Sequence, residues 1–245
     1  MIINQDKCIK CGRCIPYCGM GAIVRKDGRM EVDQNECVEC GVCVRLNVCP
    51  KSALEQPELD RNRAIRKQFS DPLTPHPSTT LAGRGTEEIK TNDVTNRIGK
   101  GFLGIGVEMG RPGVGTWMRD VQTVTQAIAS VGVHWEECNP LTTLIADKNT
   151  GKLDPSVMDV KVLSCILEFS IRVEQLEALL KAVHSVEDKI DTVFSLSMIT
   201  VFNDDGSLPG LETLKRMGFS PRPNAKINLG LGRAQSAQGG DIHVS

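Results

Sequence analysis

Ten cysteines stand in this 245-residue chain, and eight of them fall between positions 8 and 49. They run Cys8, Cys11, Cys14 and Cys18, then Cys37, Cys40, Cys43 and Cys49. The spacing is C-x2-C-x2-C-x3-C, followed by C-x2-C-x2-C-x5-C and Pro50. Thiols two residues apart on a tight loop can converge on one inorganic group. Zinc is one reading, because C-x2-C pairs build zinc ribbons. Four-coordinate zinc, however, takes four donors, usually as two pairs. The triple C-x2-C-x2-C occurs twice and supplies one donor too many per loop for such a site. Iron–sulfur chemistry suits the pattern better, with the fourth donor of each loop coming from elsewhere. A secreted disulfide framework is disfavoured, since eight cysteines cluster at metal spacing while Cys138 and Cys165 stand apart.

The elements that must position these thiols form an internal repeat. Asp6 to Cys14 matches Asn35 to Cys43 at an offset of 29 residues, with Gly12 and Gly41 at equivalent places. Glycine there permits positive φ and a close approach of backbone to the bound group. Ala22 to Val32 reads as a β-hairpin with Asp27-Gly28 as its turn. Gly19–Ile23 and Pro50–Leu54 are expected to form a short helical turn after each fourth cysteine.

These residues closely resemble the bacterial-type two-[4Fe-4S] ferredoxin family over residues 1–56. The resemblance implies two [4Fe-4S] clusters as cofactors, in which the fourth cysteine of each run serves the other cluster. Cys8, Cys11, Cys14 and Cys49 then hold cluster one. Cys37, Cys40, Cys43 and Cys18 hold cluster two. It also implies low-potential electron transfer and a setting in anaerobic metabolism. The chain departs from the family twice. Gly19 stands where proline usually follows the cysteine, and five residues rather than three separate Cys43 from Cys49. Neither change removes a ligand.

Composition narrows the partners. Net charge is −1 and the sequence pI is about 6.4, with no basic stripe of the kind that reads nucleic acid. No window approaches the ~18 consecutive apolar residues of a membrane span. Met1–Lys7 lacks the start of a signal peptide, so a cytoplasmic protein is expected. Residues 1–56 carry eight basic and seven acidic side chains. A balanced module of this kind has no long-range steering field, which favours one held within a complex over a diffusing shuttle.

Residues 57–98 are punctuated by Pro57, Pro72, Pro75 and Pro77 and read as an extended linker or docking segment. A short helix lies near Leu59–Phe69, and Gly83–Asp93 is a polar patch suited to docking a partner or ligand. Residues 99–205 are regular. Leu103, Ile105, Val107 and Met109 alternate as a strand; Trp117, Val121, Val124 and Ile128 share a helical face. A second strand at Val133–Trp135 is expected to run on after Pro140 to Ile145, and Lys148–Lys152 is a turn. Leu163–Arg172 is a third strand, Leu176–Ile190 a second helix and Phe194–Met198 a fourth strand. The order is β-α-β-β-α-β. Val107–Gly115 resembles the strand-to-helix turn of ACT-type regulatory domains, which share this topology. That likeness implies sheet-mediated dimers and a small ligand near the turn. Residues 206–245 read as a C-terminal arm.

The expected architecture is therefore α+β: a two-[4Fe-4S] ferredoxin module followed by a βαββαβ (ferredoxin-like/ACT-like) sandwich. No Ser/His/Asp set, free C-x-x-C dithiol or dinucleotide fingerprint is visible, so a non-catalytic electron-transfer subunit is expected. Its partner is a redox enzyme subunit or complex, with a homodimer through the second module's sheet as a further expectation. The alternative is a redox- or metabolite-responsive regulator using the ACT-like module.

Overall fold

In the computed structural model, residues 1–80, 82, 95–111 and 113–221 are described. The polar patch at 83–93, Pro112 and the arm beyond 221 lie outside the described residues. The chain is mixed helix and sheet.

The N-terminal module closes on itself. Strand β1 (Ile2–Ile3) pairs antiparallel with β4 (Leu54–Glu55), so the two ends of the module meet. Between them, β2 (Ile23–Lys26) and β3 (Arg29–Val32) form the expected hairpin. Asp27 and Gly28 turn it at φ 48° and 72°, both in the left-handed region that a two-residue turn requires. The segments after Cys18 and Cys49 are plain turns rather than helical ones. In each, the cysteine carbonyl accepts one backbone N–H three residues on, from Gly21 and Ser52, and the chain then straightens into a strand. The residues before Cys49 form a short helix, α1 (Val42–Arg45).

Helix α2 (Arg61–Ser70) follows, within the segment read as a linker. Asp60 caps it by accepting the Arg63 N–H at 2.8 Å. Ile65 and Phe69, four residues apart on one face, are buried in the same core as the C-terminal sheet. Arg61 pairs with Asp154 at 2.8 Å, Asn62 donates to the Ser156 carbonyl at 3.0 Å, and Ser70 Oγ accepts the Leu163 N–H at 2.9 Å. Hydrogen bonds from Ser156 and then Arg61 hold the Asp154 carboxyl down at about 2. A depressed carboxyl contributes above its unfolded value of about 3.9 and loses that contribution as pH falls towards the folded one. This tie therefore persists through the neutral range.

The C-terminal module is built on strands β5 (Phe102–Met109), β7 (His134–Trp135), β11 (Cys165–Arg172) and β12 (Phe194–Thr200). Their order across the sheet is β12-β5-β11-β7, with every neighbouring pair antiparallel. Leu103, Ile105, Val107 and Met109 of β5 and Cys165, Leu167, Phe169 and Ile171 of β11 are all buried. Helix α3 (Met118–Ala129) buries Met118, Val121, Val124 and Ile128 in that core. Helix α4 (Leu176–His184) buries Leu176, Leu179, Leu180 and Val183 beside it. Burial of this kind stabilises by roughly 1.5–3 kcal/mol per large aliphatic side chain. Helix α4 stops at His184 rather than Ile190, and a single tight turn at 187–189 follows. A last helix, α5 (Leu211–Arg216), lies against α4 and ties to it through Arg216 and Glu177 at 2.7 Å.

The second strand does not run on through Pro140. The Asn139 side-chain oxygen accepts the N–H of Leu141 at 2.8 Å and of Thr142 at 3.4 Å, bending the chain into a tight turn at 142–144. Ile145–Asp147 (β8) then pairs with Lys152–Leu153 (β9), outside the main sheet. A further small pair joins Thr116–Trp117 (β6) to Lys161–Val162 (β10). Pro140 has no N–H to give a ladder, which is why the apolar run Leu141–Ile145 cannot extend a sheet strand.

The turn between β5 and α3 brings the two modules together. Gly115 has φ 76°, and a Cβ there would stand 2.6 Å from the Met20 side chain and 3.1 Å from the Val162 carbonyl. Its glycine is required by the positive φ, and the Met20 side chain of the N-terminal module packs against it.

Candidate iron–sulfur centres

The two cysteine loops repeat atom by atom. Cys8 N–H donates to the Asn4 carbonyl at 3.1 Å, and Cys37 N–H to the Asp33 carbonyl at 2.9 Å. Asn4 Oδ1 accepts the Asp6 N–H at 3.1 Å, and Asp33 Oδ1 that of Asn35 at 2.9 Å. Lys10 and Glu39 each take φ 58°, followed by Gly12 at 77° and Gly41 at 70°. Every member of the second loop lies 29 residues after its counterpart. Left-handed residues fold each C-x2-C-x2-C run into a bowl with its thiols inward.

Each bowl is completed by the distant cysteine of the other half. Cys8, Cys11, Cys14 and Cys49 line one hollow, with Ile3, Met30 and Leu54 among its walls. Cys18, Cys37, Cys40 and Cys43 line a second, with Met1, Ile23 and Val38. The Ala53 N–H points at Cys49 Sγ at 3.3 Å, and the Ala22 N–H at Cys18 Sγ at 3.2 Å. Such N–H···S contacts stabilise thiolate charge and tune a bound cluster. Among the described residues, no three His, Cys, Asp or Glu side chains converge closely enough to grip one bare metal ion. The thiols surround a volume instead. Four thiols around an apolar-walled hollow, with amide donors aimed at sulfur, fit a [4Fe-4S] group.

The protonation of the thiols follows from their surroundings. Burial pushes Cys14 and Cys37 up, and it pushes Cys43 up to about 11 with help from the neighbouring thiols Cys40, Cys37 and Cys18. Burial opposes Cys49 too, yet backbone N–H donors at Ala53, Lys51 and Leu54 carry it below the ordinary thiol value. Ligation needs thiolates, so cluster loading must expel protons. The raised thiols are protonated at neutral pH, and loading should be favoured as pH rises. Apoprotein reconstituted anaerobically in weak buffer is expected to acidify it. Loading at pH 8.5 should then be tighter than at pH 7.

The two hollows differ in what lies behind them. Near the second, the buried Glu39 carboxylate accepts from the Met1 ammonium at 2.6 Å, from Gln56 Nε2 at 3.1 Å and from Arg63. Burial alone would push this carboxyl up; the hydrogen bonds and the two cations hold it below its usual value instead. Arg66, only 7% exposed, spans the modules. Its Nη1 donates to the carbonyls of Gln34, Asn35 and Cys37 at 2.7, 3.1 and 2.9 Å, and its Nη2 to that of Asp159 at 3.2 Å. Arg45, in the lengthened second loop, pairs with Asp71 at 2.6 Å and donates to the Cys40 carbonyl at 2.7 Å. Lys161 reaches back to Glu36. These contacts were not legible as a site. Nothing local in the sequence marks which arginine of helix α2 is buried.

Cys165 is buried in the core and its thiol is pushed up to about 12, as for an inert packing residue. Cys138 is exposed and belongs to neither hollow. His76 is buried edge-on against Phe69 and bonded to Ser78 at 2.8 Å, a structural placement.

Comparison with known proteins agrees with this geometry. Residues 7–54 match the family described as the 4Fe-4S dicluster domain. The N-terminal segment is thus of ferredoxin type, and the match supports an iron–sulfur electron-transfer role. No curated protein and no solved structure matches the chain. Among the described residues no helix is long and apolar enough to cross a membrane.

Proposed function

We propose that this chain is an electron-transfer subunit whose ferredoxin-type module carries two [4Fe-4S] clusters and serves a redox enzyme complex. The observation that carries the reading is the pair of four-thiol hollows, each assembled from three cysteines of one loop and one of the other. Cys8, Cys11, Cys14 and Cys49 would hold one cluster, and Cys37, Cys40, Cys43 and Cys18 the second. When bound, such groups supply one-electron redox chemistry at potentials set by surrounding charge, amide donors and solvent.

The protein's own residues do the rest. Ala22 and Ala53 aim amides at the two crossing thiols. Met30, Ile23 and Ala53, all buried, keep water from the inner walls. Arg66 and Lys161 clamp the second loop to the C-terminal module, so that hollow cannot move independently of it.

We read the C-terminal module as a βαββαβ unit of the ferredoxin-like or ACT-like kind. Support comes from its strand order and from two helices that share one core with the apolar residues of its central strands. In this reading it is an anchor that fixes the clusters within a larger assembly. The test is anaerobic purification with metal analysis and a redox titration followed by low-temperature electron paramagnetic resonance. About eight irons per chain and two reducible centres are expected. A content near one or two metal ions per chain, or zinc in place of iron, overturns the proposal.

A further inference from the structure

We infer that electrons enter or leave this chain at the hollow of the first motif, across a cationic surface that docks a small acidic one-electron carrier. The inference rests on the electron-transfer reading above. It is carried by which loop of the module is tied to the rest of the chain and where the unpaired charge sits.

The second loop is tied to the C-terminal module. Met20, which lines the second hollow, packs on Gly115 of that module. Arg66 seals the backbone of Gln34, Asn35 and Cys37, and Lys161 holds Glu36. Cys11 is exposed, and Ile9, on the wall of the first hollow, is 57% exposed at the tip of the loop.

Charge is sorted in the same sense. The module is balanced in sum, but three of its seven carboxylates are spent on cations: Glu39 on Met1 and Arg63, Glu36 on Lys161, Glu55 on Lys7. The cations around the first hollow are not so paired. Arg13 lines it, Lys10 sits beside Ile9, and Lys51 follows Pro50 on its rim. Arg25 reaches across to the Lys10 carbonyl at 2.7 Å. All four are exposed, and among the described residues none of them has a carboxylate in ion-pair contact. An exposed apolar tip ringed by free cations suits a partner whose own redox centre is rimmed by carboxylates. A single electron passes between the two centres, so no bond forms or breaks.

The experiment uses the full, cluster-loaded chain, reduced with dithionite and mixed by stopped flow with an oxidised acidic flavodoxin or with the basic cytochrome c. The readout is the dependence of each rate on ionic strength, which is independent of the difference in driving force. For the native chain the flavodoxin rate is expected to fall as salt rises, and the cytochrome rate to rise or stay flat. The variant Lys10→Glu/Arg13→Glu/Lys51→Glu should lose about tenfold or more with flavodoxin at about 10 mM salt, and most of that gap should close at about 0.5 M. The milder Lys10→Gln/Lys51→Gln variant should fall between. Equal salt slopes in native and variant chains overturn the surface, as does a slope that responds to Arg45→Glu instead. Absence of reducible centres in the native chain would sink the electron-transfer reading itself, which is a separate outcome.

Discussion

Replacing Cys18 with alanine is expected to abolish the centre built on the second motif and leave the first intact. Cys18 belongs in sequence to the first run, yet its thiol lines the hollow of Cys37, Cys40 and Cys43. Iron should drop from about eight to about four per chain, with one of two reducible signals lost. Cys49→Ala should do the reverse, removing the centre of Cys8, Cys11 and Cys14. The two variants are therefore distinguishable by a third substitution. Cys18→Ala combined with Cys40→Ala should cost no more iron than Cys18→Ala alone, since both strike one hollow. Cys18→Ala combined with Cys11→Ala should strip both. If Cys18→Ala proved additive with Cys40→Ala and silent with Cys11→Ala, ligation would run along the chain and the crossed arrangement would be wrong.

Arg66→Met is expected to be the most damaging substitution outside the cysteines. The guanidinium is buried and satisfies four backbone carbonyls, three on the second cysteine loop and one at Asp159. Methionine fills much of the stem's volume but leaves those acceptors unpaired. Each orphaned buried acceptor costs about 1–3 kcal/mol, partly relieved by relaxation, so a net loss of about 3–5 kcal/mol is expected. Denaturant unfolding followed by the fluorescence of Trp117 and Trp135 would read it. Lysine retains the charge without the planar fork, and Arg66→Lys should recover only part of the loss. The same change removes a buried positive charge next to the Cys37 carbonyl. The centre of the second motif should shift to more negative potential while that of the first stays in place. A uniform shift of both centres, or stability within ~0.5 kcal/mol of the native chain, would refute the role given to Arg66.

The two substitutions also separate what was legible in the residues from what was not. Donor type, donor spacing and the 29-residue repeat are local facts, and the paired bowls follow from them because positive-φ positions recur at the same offsets. The hairpin turn at Asp27-Gly28 is local in the same way, as are the apolar stripes of α3 and α4. Strand β7 shows the limit of such reading. The apolar run Leu141–Ile145 has the right composition for a strand, but Asn139 captures the next two amides and turns it away. The segment after residue 57 shows a second limit. Its prolines suggest a linker, whereas Ile65 and Phe69 insert α2 into the shared core.

By itself the sequence determined the chemistry: eight soft donors in two matched loops, the turns that bend them and the class of group they suit. Only the tertiary structure decided that the two hollows are unequal. Arg63, Arg66 and Lys161 meet the second loop from positions 24 to 125 residues away, and such partners leave no periodic trace in the chain. Burying a charge is costly unless every donor or acceptor is met, so where these groups converge is settled by packing alone. That convergence ties one loop to the C-terminal module, while the free cations stand around the other.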